Sequence, residues 1–581
     1  MNVSSEPVGA GAHGDPSPLP PAAAFGSEIS ARRADAACLA ILGIIWIAMA
    51  VLANPIGDFP LNDDWVYGLA VKSILESGQF RLPSPSSTNL LPQAYWGALF
   101  CLPSGFSFTA LRLSTLALGL LGVWATFGIL RQLGAGARVA LLAAALIAGN
   151  PVYFALANTF MTDVPFVAVS AASLFFLVRW SLHSNARDAL LGLLLAMVGI
   201  LIRQAGIVIP LGFAVAYYVM RGPGPRAFAV AIVPVLLGAL LHFGFQAWLH
   251  QTGGTPSAGE PPLFATVTEN LRNPFRVPLR LVIFFAYAGL FSLPILAVAS
   301  ARVWRRSDEA RRRMFVLVFF ATSVVSVVAM FMIGRPMPLI DNILNDFGIG
   351  PLTVTDNYFA GRYSPRVPFY LKAFWNVVTI AAIAGAGLLA CMVAHGFRGI
   401  TATRLASASA PAALIIACSA IAYVVLALLA LRFFYDRYVL FPLLSTVLLA
   451  GLLHARTPSA DWSRKYSVLL GLVLMLQAAF AVVATRDYLE WNRMRWAATS
   501  GLLAAGVPRT SIDGGYEFNG WLGYDAGYQR KQGKSPWWVD DDEYVIALGP
   551  MAGYSVFRSY PFRRLLTAQE TPVLVLRRIQ P

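Results

Sequence analysis

Long apolar runs separated by short polar joints dominate the chain. A spanning helix needs roughly 20 mostly apolar residues. About thirteen runs approach that length, near 36–53, 106–130, 138–157, 164–181, 187–202, 204–220, 227–249, 279–300, 314–334, 369–394, 411–431, 436–454 and 466–485. Arg203-Gln204 alone separates the fifth run from the sixth. No internal repeat or heptad array organises them. Beyond residue 485 the long runs stop and Gly, Tyr, Trp and acidic residues take over, as in "SIDGGYEFNGW" and "WWVDDDEYVIALG". The pattern predicts an all-α polytopic membrane protein with about thirteen transmembrane helices over 36–485. A small C-terminal α/β domain over 486–581 follows, opening with a helix near 487–505.

The polar joints then give an orientation. With the N-terminus in the cytoplasm, alternate joints carry Arg32/Arg33, Arg131/Arg138, Arg179/Arg187, Arg221/Arg226, the cluster from Arg302 to Arg313, Arg398/Arg404 and Arg456/Arg464/Lys465. The short joints on the other side are nearly empty of them, as the positive-inside rule requires. An odd number of spans puts the tail outside. Three long outer segments, 54–105, 250–278 and 335–368, join it there, so the outer face is the chemically varied one.

Composition supports this reading. The 581 residues are 57% hydrophobic and 13% charged, against about 25% charged in soluble domains. The net charge of +15 fits cytoplasmic joints beside anionic lipid better than a nucleic-acid partner. Cys38, Cys101, Cys391 and Cys418 form no CxxC pair, so neither a disulfide framework nor a zinc cage is indicated. Residues 1–35 are rich in Pro, Ala, Gly and Ser and read as a disordered cytoplasmic leader without a cleavage site.

Candidate chemistry clusters on the outer side. In "LNDDWVYGLAVKSILESGQF", Asp63 and Asp64 open an amphipathic surface helix, where acids also serve simply as caps. In "NTFMTDVPF", Thr162 or Asp163 opens the fourth span, again a capping position. Arg203, flanked by "GILI" and "AGIVIP", needs an anionic partner or a polar cavity. Arg432, Asp436 and Arg437 in "RFFYDRYVLFPLL" mark the outer start of the twelfth run, where snorkelling arginines and an aromatic belt are the plainer account. "DNYFAGRYSPRVPFY" adds Arg362 and Arg366. Carboxylates serve as bases toward hydroxyls, and guanidinium forks hold phosphates. Together they suit transfer of a group from a lipid phosphate to an alcohol. A sugar fits, because a phosphate held by arginines leaves without a general acid. An ordinary glycoside needs a carboxylate pair.

With those residues in place, the chain resembles the bacterial membrane glycosyltransferases of the GT-C fold, especially the protein O-mannosyltransferase and aminoarabinose transferase branch. Asp63-Asp64-Trp65-Val66-Tyr67 matches that group's D-E-x-x-Y element, and Thr162-Asp163-Val164-Pro165 its T-D-x-P element. Asp436-Arg437-Tyr438 matches a late R-Y-x-x-P element with Pro442 slightly displaced, and Asp64 stands where a Glu is usual. The resemblance covers about residues 36–485. It implies Asp63 as general base, with Asp64 as its competitor for that role. Asp163 would orient acceptor or sugar, and Tyr67, Arg203, Arg362, Arg437 and Tyr438 would line the donor site. It further implies a polyprenyl-phosphate sugar as donor, an extracytoplasmic glycan, lipid or protein as acceptor, and the bacterial inner membrane as location. No metal-ligand pair can be matched, His242 and His250 included, so no metal and no other cofactor is expected. The rival reading is a transporter or flippase of lipid-linked sugars, which favours inverted repeats and a midplane site.

Overall fold

A computed structural model describes residues 21–86, 88–252, 262–340, 342–346, 369–398, 409–455, 464–532, 534, 537–568 and 570–579. Among these, eleven helices are long and apolar enough to cross a membrane, or twelve if the bent pair Ala137–Ala148 and Pro151–Ala157 is one span. The two halves of that pair meet at 63°. The bend falls at Gly149-Asn150-Pro151, where the Asn150 side chain caps the second half and proline takes its first position. The remaining run of the roughly thirteen, at 187–202, is the shortest of them. The run at 187–202 forms a helix, Ala186–Ile202, of 17 residues.

The spans carry their apolar surface outward as well as inward. Leu240 is 70% exposed, Leu317 74% and Phe331 82%. Such faces are stable against lipid, where a helix satisfies its own backbone. Close helix contacts use small residues. At Gly289 and Gly385 two spans touch backbone to backbone, so a Cβ on either would run into the other's main chain.

Among the described residues, the long segments between spans carry short helices. Residues 54–105 contain the helices Asp64–Ser77 and Leu91–Cys101. Within 250–278 lies Leu263–Arg272, and within 335–368 the short helix Ile343–Asp346. The helix expected near 487–505 is not a separate element. It continues the last span as one helix, Arg464–Ala504, of 41 residues, which at 1.5 Å per residue reaches about 60 Å. The tail beyond it builds a four-stranded sheet in the order β1-β2-β4-β3, from β1 (Ile512–Asp513), β2 (Tyr544–Ala547), β3 (Tyr554–Arg563) and β4 (Glu570–Arg578). β1 and β2 are parallel, with the helix Tyr516–Gly523 between them, and the other pairs are antiparallel. Ile512, Phe518, Phe562 and Val575 share one core with the membrane helices, so the tail rests directly on the bundle.

Candidate active site

Two arginines, Arg112 fully buried and Arg493 partly so, hold the segment that follows the first span. Arg112 donates to the carbonyls of Pro55 (3.0 Å), Gly57 (2.7 Å) and Phe59. Arg493 donates to those of Asn54 and Ile56. With the loop gripped from both sides, the helix Asp64–Ser77 starts at a fixed place. Asp64 is fully buried. Its carboxylate accepts from the N–H of Leu61 (3.3 Å) and of Phe160 (2.8 Å), tying this helix to the turn before the Asp163–His183 span. Burial pushes its pKa up to about 8, against the pull of Arg112 and those N–H groups. Both oxygens are occupied and no face is open, so Asp64 is an anchor and Asp63 is the acid that remains. Asp64→Ala leaves two buried N–H groups unmet. It is expected to lower stability by roughly 2–4 kcal/mol, read as a lower melting midpoint in detergent, with Asp64→Asn milder. An unchanged midpoint for Asp64→Ala would remove the anchoring role.

Asp63 occupies the N-cap position but makes no capping bond. Its Oδ1 accepts from the Tyr516 hydroxyl at 2.9 Å. Its Oδ2 faces Nη1 of Arg437 at 4.0 Å. The side chain is 28% exposed, while that of Arg437 is 10% exposed. Burial raises the Asp63 pKa, with Arg437 and Tyr516 opposing it. A raised carboxylate pKa makes a stronger base. Tyr67, one turn on, is buried, and its hydroxyl feels Asp63, Arg437 and Arg203.

Asp163 is likewise no simple cap, and neither it nor Thr162 makes a capping side-chain bond. It pairs with Arg203 through Oδ1, while its Oδ2 is buried without a hydrogen-bond partner. Arg203 and Arg437 stand about one ring, Tyr438, each guanidinium carbon 5.6 Å from its centroid. Arg437 also lies 4.9 Å from the Tyr435 ring. Its Nε and Nη1 are buried with no hydrogen-bond partner. Such groups normally find one, so a buried cation offers unmet donors beside Asp63. The neighbouring Asp436 is spent on structure, accepting from the N–H groups of Ile343 and Leu344 at 3.1 and 2.8 Å.

The structure therefore brings Asp63, Tyr67, Asp163, Arg203, Arg437 and Tyr438 into one cluster and sets Asp64 beneath it. Arg362 and Arg366 lie outside the described residues. Sequence reasoning missed Tyr516 and Glu517, which the tail folds over the start of the Asp64–Ser77 helix. Glu517 accepts from the N–H of Asn62 at 3.0 Å and pairs with Arg495 at 2.6 Å. The acid and aromatics of "DGGYEFNGW" were the available signal, but nothing in the sequence says which membrane element they cover. Among the described residues no three His, Cys, Asp or Glu side chains converge on a common point.

Residues 92–249 match the family model for dolichyl-phosphate-mannose-protein mannosyltransferases. The stretch is a little over a quarter of the chain and includes Asp163 and Arg203, while Asp63 and Arg437 lie outside it. The resemblance to GT-C glycosyltransferases carried by the motifs thus extends to this matched stretch. Among solved structures, ArnT from Cupriavidus metallidurans bound to undecaprenyl phosphate is 15% identical. That match has a TM-score of 0.41 and covers 81% of this chain and 72% of ArnT. The apo form of the same protein is 14% identical with a TM-score of 0.41, over 95% of this chain and 98% of that one. The archaeal oligosaccharyltransferase AglB from Archaeoglobus fulgidus, in complex with an inhibitory peptide and a dolichol-phosphate, is 14% identical. Its TM-score is 0.40, over 80% of this chain and 57% of AglB. No curated protein matches the chain.

Proposed function

We propose that this protein is an integral-membrane glycosyltransferase that moves a sugar from a polyprenyl-phosphate donor to a hydroxyl of an extracytoplasmic glycan, lipid or protein. The observation that carries this reading is the ion pair, at 4.0 Å, of a part-exposed carboxylate, Asp63, with a buried arginine whose Nε and Nη1 make no hydrogen bond. In the proposed step, Oδ2 of Asp63 takes the proton of the acceptor hydroxyl. The acceptor oxygen bonds to the anomeric carbon, and the bond from that carbon to the phosphate oxygen breaks. The electron pair leaves on the phosphate, whose charge Arg437 stabilises. Attack opposite the leaving group inverts the anomeric centre. Asp163 holds Arg203 in place and keeps Oδ2 for a hydroxyl of sugar or acceptor.

Position supports the same reading. Asp63, Asp163, Arg203 and Arg437 all sit at helix ends or in the joints between helices. A transporter would place its charges at the midplane. An open apolar groove of about 710 Å³ runs along the helices Leu91–Cys101, Ala186–Ile202 and Pro225–Gln251, lined by Leu91, Leu201, Leu237, Leu240, Phe245 and Trp248. Leu201 is two residues from Arg203, so a prenyl tail bedded there leads toward the guanidinium pair. The protein belongs in the bacterial inner membrane on this reading, N-terminus inside and tail outside. The test is release of polyprenyl phosphate from defined polyprenyl-phosphate hexoses and pentoses by purified protein, with cell-envelope lipid and glycan fractions as acceptors. Release from at least one donor is expected. Absence of release from all of them overturns the reading.

A further inference from the structure

The tail contributes a side chain to the base itself. Tyr516 is the first residue of the helix Tyr516–Gly523, and its hydroxyl reaches across 453 positions of sequence to Asp63 Oδ1 at 2.9 Å. The turn before it is built for that placement. Gly515 has φ +99°, a region that favours glycine. Asp513 Oδ1 accepts from the N–H of Gly515 at 3.3 Å and from the Asn519 side chain at 2.7 Å. Arg495 donates to the Gly514 carbonyl at 3.0 Å and pairs with Glu517, both side chains almost fully buried. Glu517 in turn accepts from the N–H of Asn62, next to Asp63. The Tyr516 ring is clamped between Trp65 at 5.6 Å and Trp537 at 4.7 Å. At Gly520 a Cβ would collide with the Trp65 ring, so this helix lies directly on the start of the Asp64–Ser77 helix.

A carboxylate free to rotate presents either oxygen in many directions. Here Oδ1 is taken by a rigid donor, and Oδ2 is left toward Arg437. Resting on the transferase reading above, we propose that Tyr516 is a positioning residue: it fixes the Asp63 carboxylate so that Oδ2, on the Arg437 side, receives the acceptor's proton. The active site is then shared between the membrane helices and the tail, and is incomplete without the latter. The advantage is geometric, since a base held in line with the reacting bond needs no reorientation in the transition state.

The charged and titratable groups around Asp63 are Arg437 from the turn Asp436–Val439, Tyr516 and Glu517 from the tail, Asp163 from its own span, and Asp64 and Tyr67 from the same helix. Tyr516→Phe deletes one oxygen and keeps the ring packing. We expect kcat to fall about tenfold, the scale of one hydrogen bond to a charged group, with donor KM unchanged. Loss of a bond that favours the ionised carboxylate raises its pKa, so the acid limb of kcat/KM moves to higher pH. In an Asp63→Asn background the same change adds no further loss. The position of the limb is independent of the folded fraction, so it reads out even at reduced yield. A wild-type protein that releases no polyprenyl phosphate sinks the transferase reading itself. An active wild type, with kcat and acid limb unmoved in Tyr516→Phe, sinks this inference alone.

Discussion

Asp63→Asn is expected to reduce sugar transfer by roughly 10²- to 10⁴-fold, the range for loss of a general base, while binding of the polyprenyl-phosphate donor stays intact. The amide keeps the shape of the side chain and can still accept from the Tyr516 hydroxyl, so the roof over the site has no reason to move. It cannot take a proton from the acceptor. The carboxylate also stands 4.0 Å from Arg437, where it competes with an incoming phosphate for the same charge. Removing its charge therefore leaves donor affinity equal or higher. Single-turnover rates with saturating donor separate the two effects. A variant that transfers at the wild-type rate would exclude Asp63 as the base.

Arg437→Ala carries the second large effect. Its guanidinium is nearly buried, and its Nε and Nη1 make no hydrogen bond. Those donors are assigned to the leaving phosphate, where removal of one preorganised donor commonly costs 10²–10³ in rate. A loss on the order of 10²-fold or more in kcat/KM is expected, with weaker donor binding as part of it. Arg437→Lys should recover only part, because an ammonium lacks the planar fork that matches a phosphate and stacks on Tyr435 and Tyr438. Unchanged donor affinity and rate in Arg437→Ala would remove it from the site.

Residue pattern alone reached the membrane class and the spans, because twenty-residue apolar runs are a local signal. Length was the marginal signal at one run. The run at 187–202 closes as a 17-residue helix at Arg203, which leaves helical geometry in an extended conformation (φ −141°). The cluster was legible as a set of residues but not as a set of pairs. Arg203 visibly needed an anion in an apolar setting, yet only the fold shows that Asp163 supplies it. The adjacent Asp63 and Asp64 looked equivalent, and both looked like caps. They separate because Phe160 brings its N–H to one and Tyr516 its hydroxyl to the other, contacts across 96 and 453 positions. The tail's contact with Asp63 was invisible for the same reason. A helix of eight residues between two short strands has no sequence signature that says where it docks.

In the proposed mechanism Asp63 acts on the acceptor and Arg437 on the donor phosphate. The most direct measurement is the affinity of purified wild-type, Asp63→Asn and Arg437→Ala proteins for polyprenyl phosphate alone. Asp63→Asn is expected to bind at least as tightly as wild type, and Arg437→Ala about tenfold or more weakly. Equal affinity across all three, or a loss confined to Asp63→Asn, would contradict it.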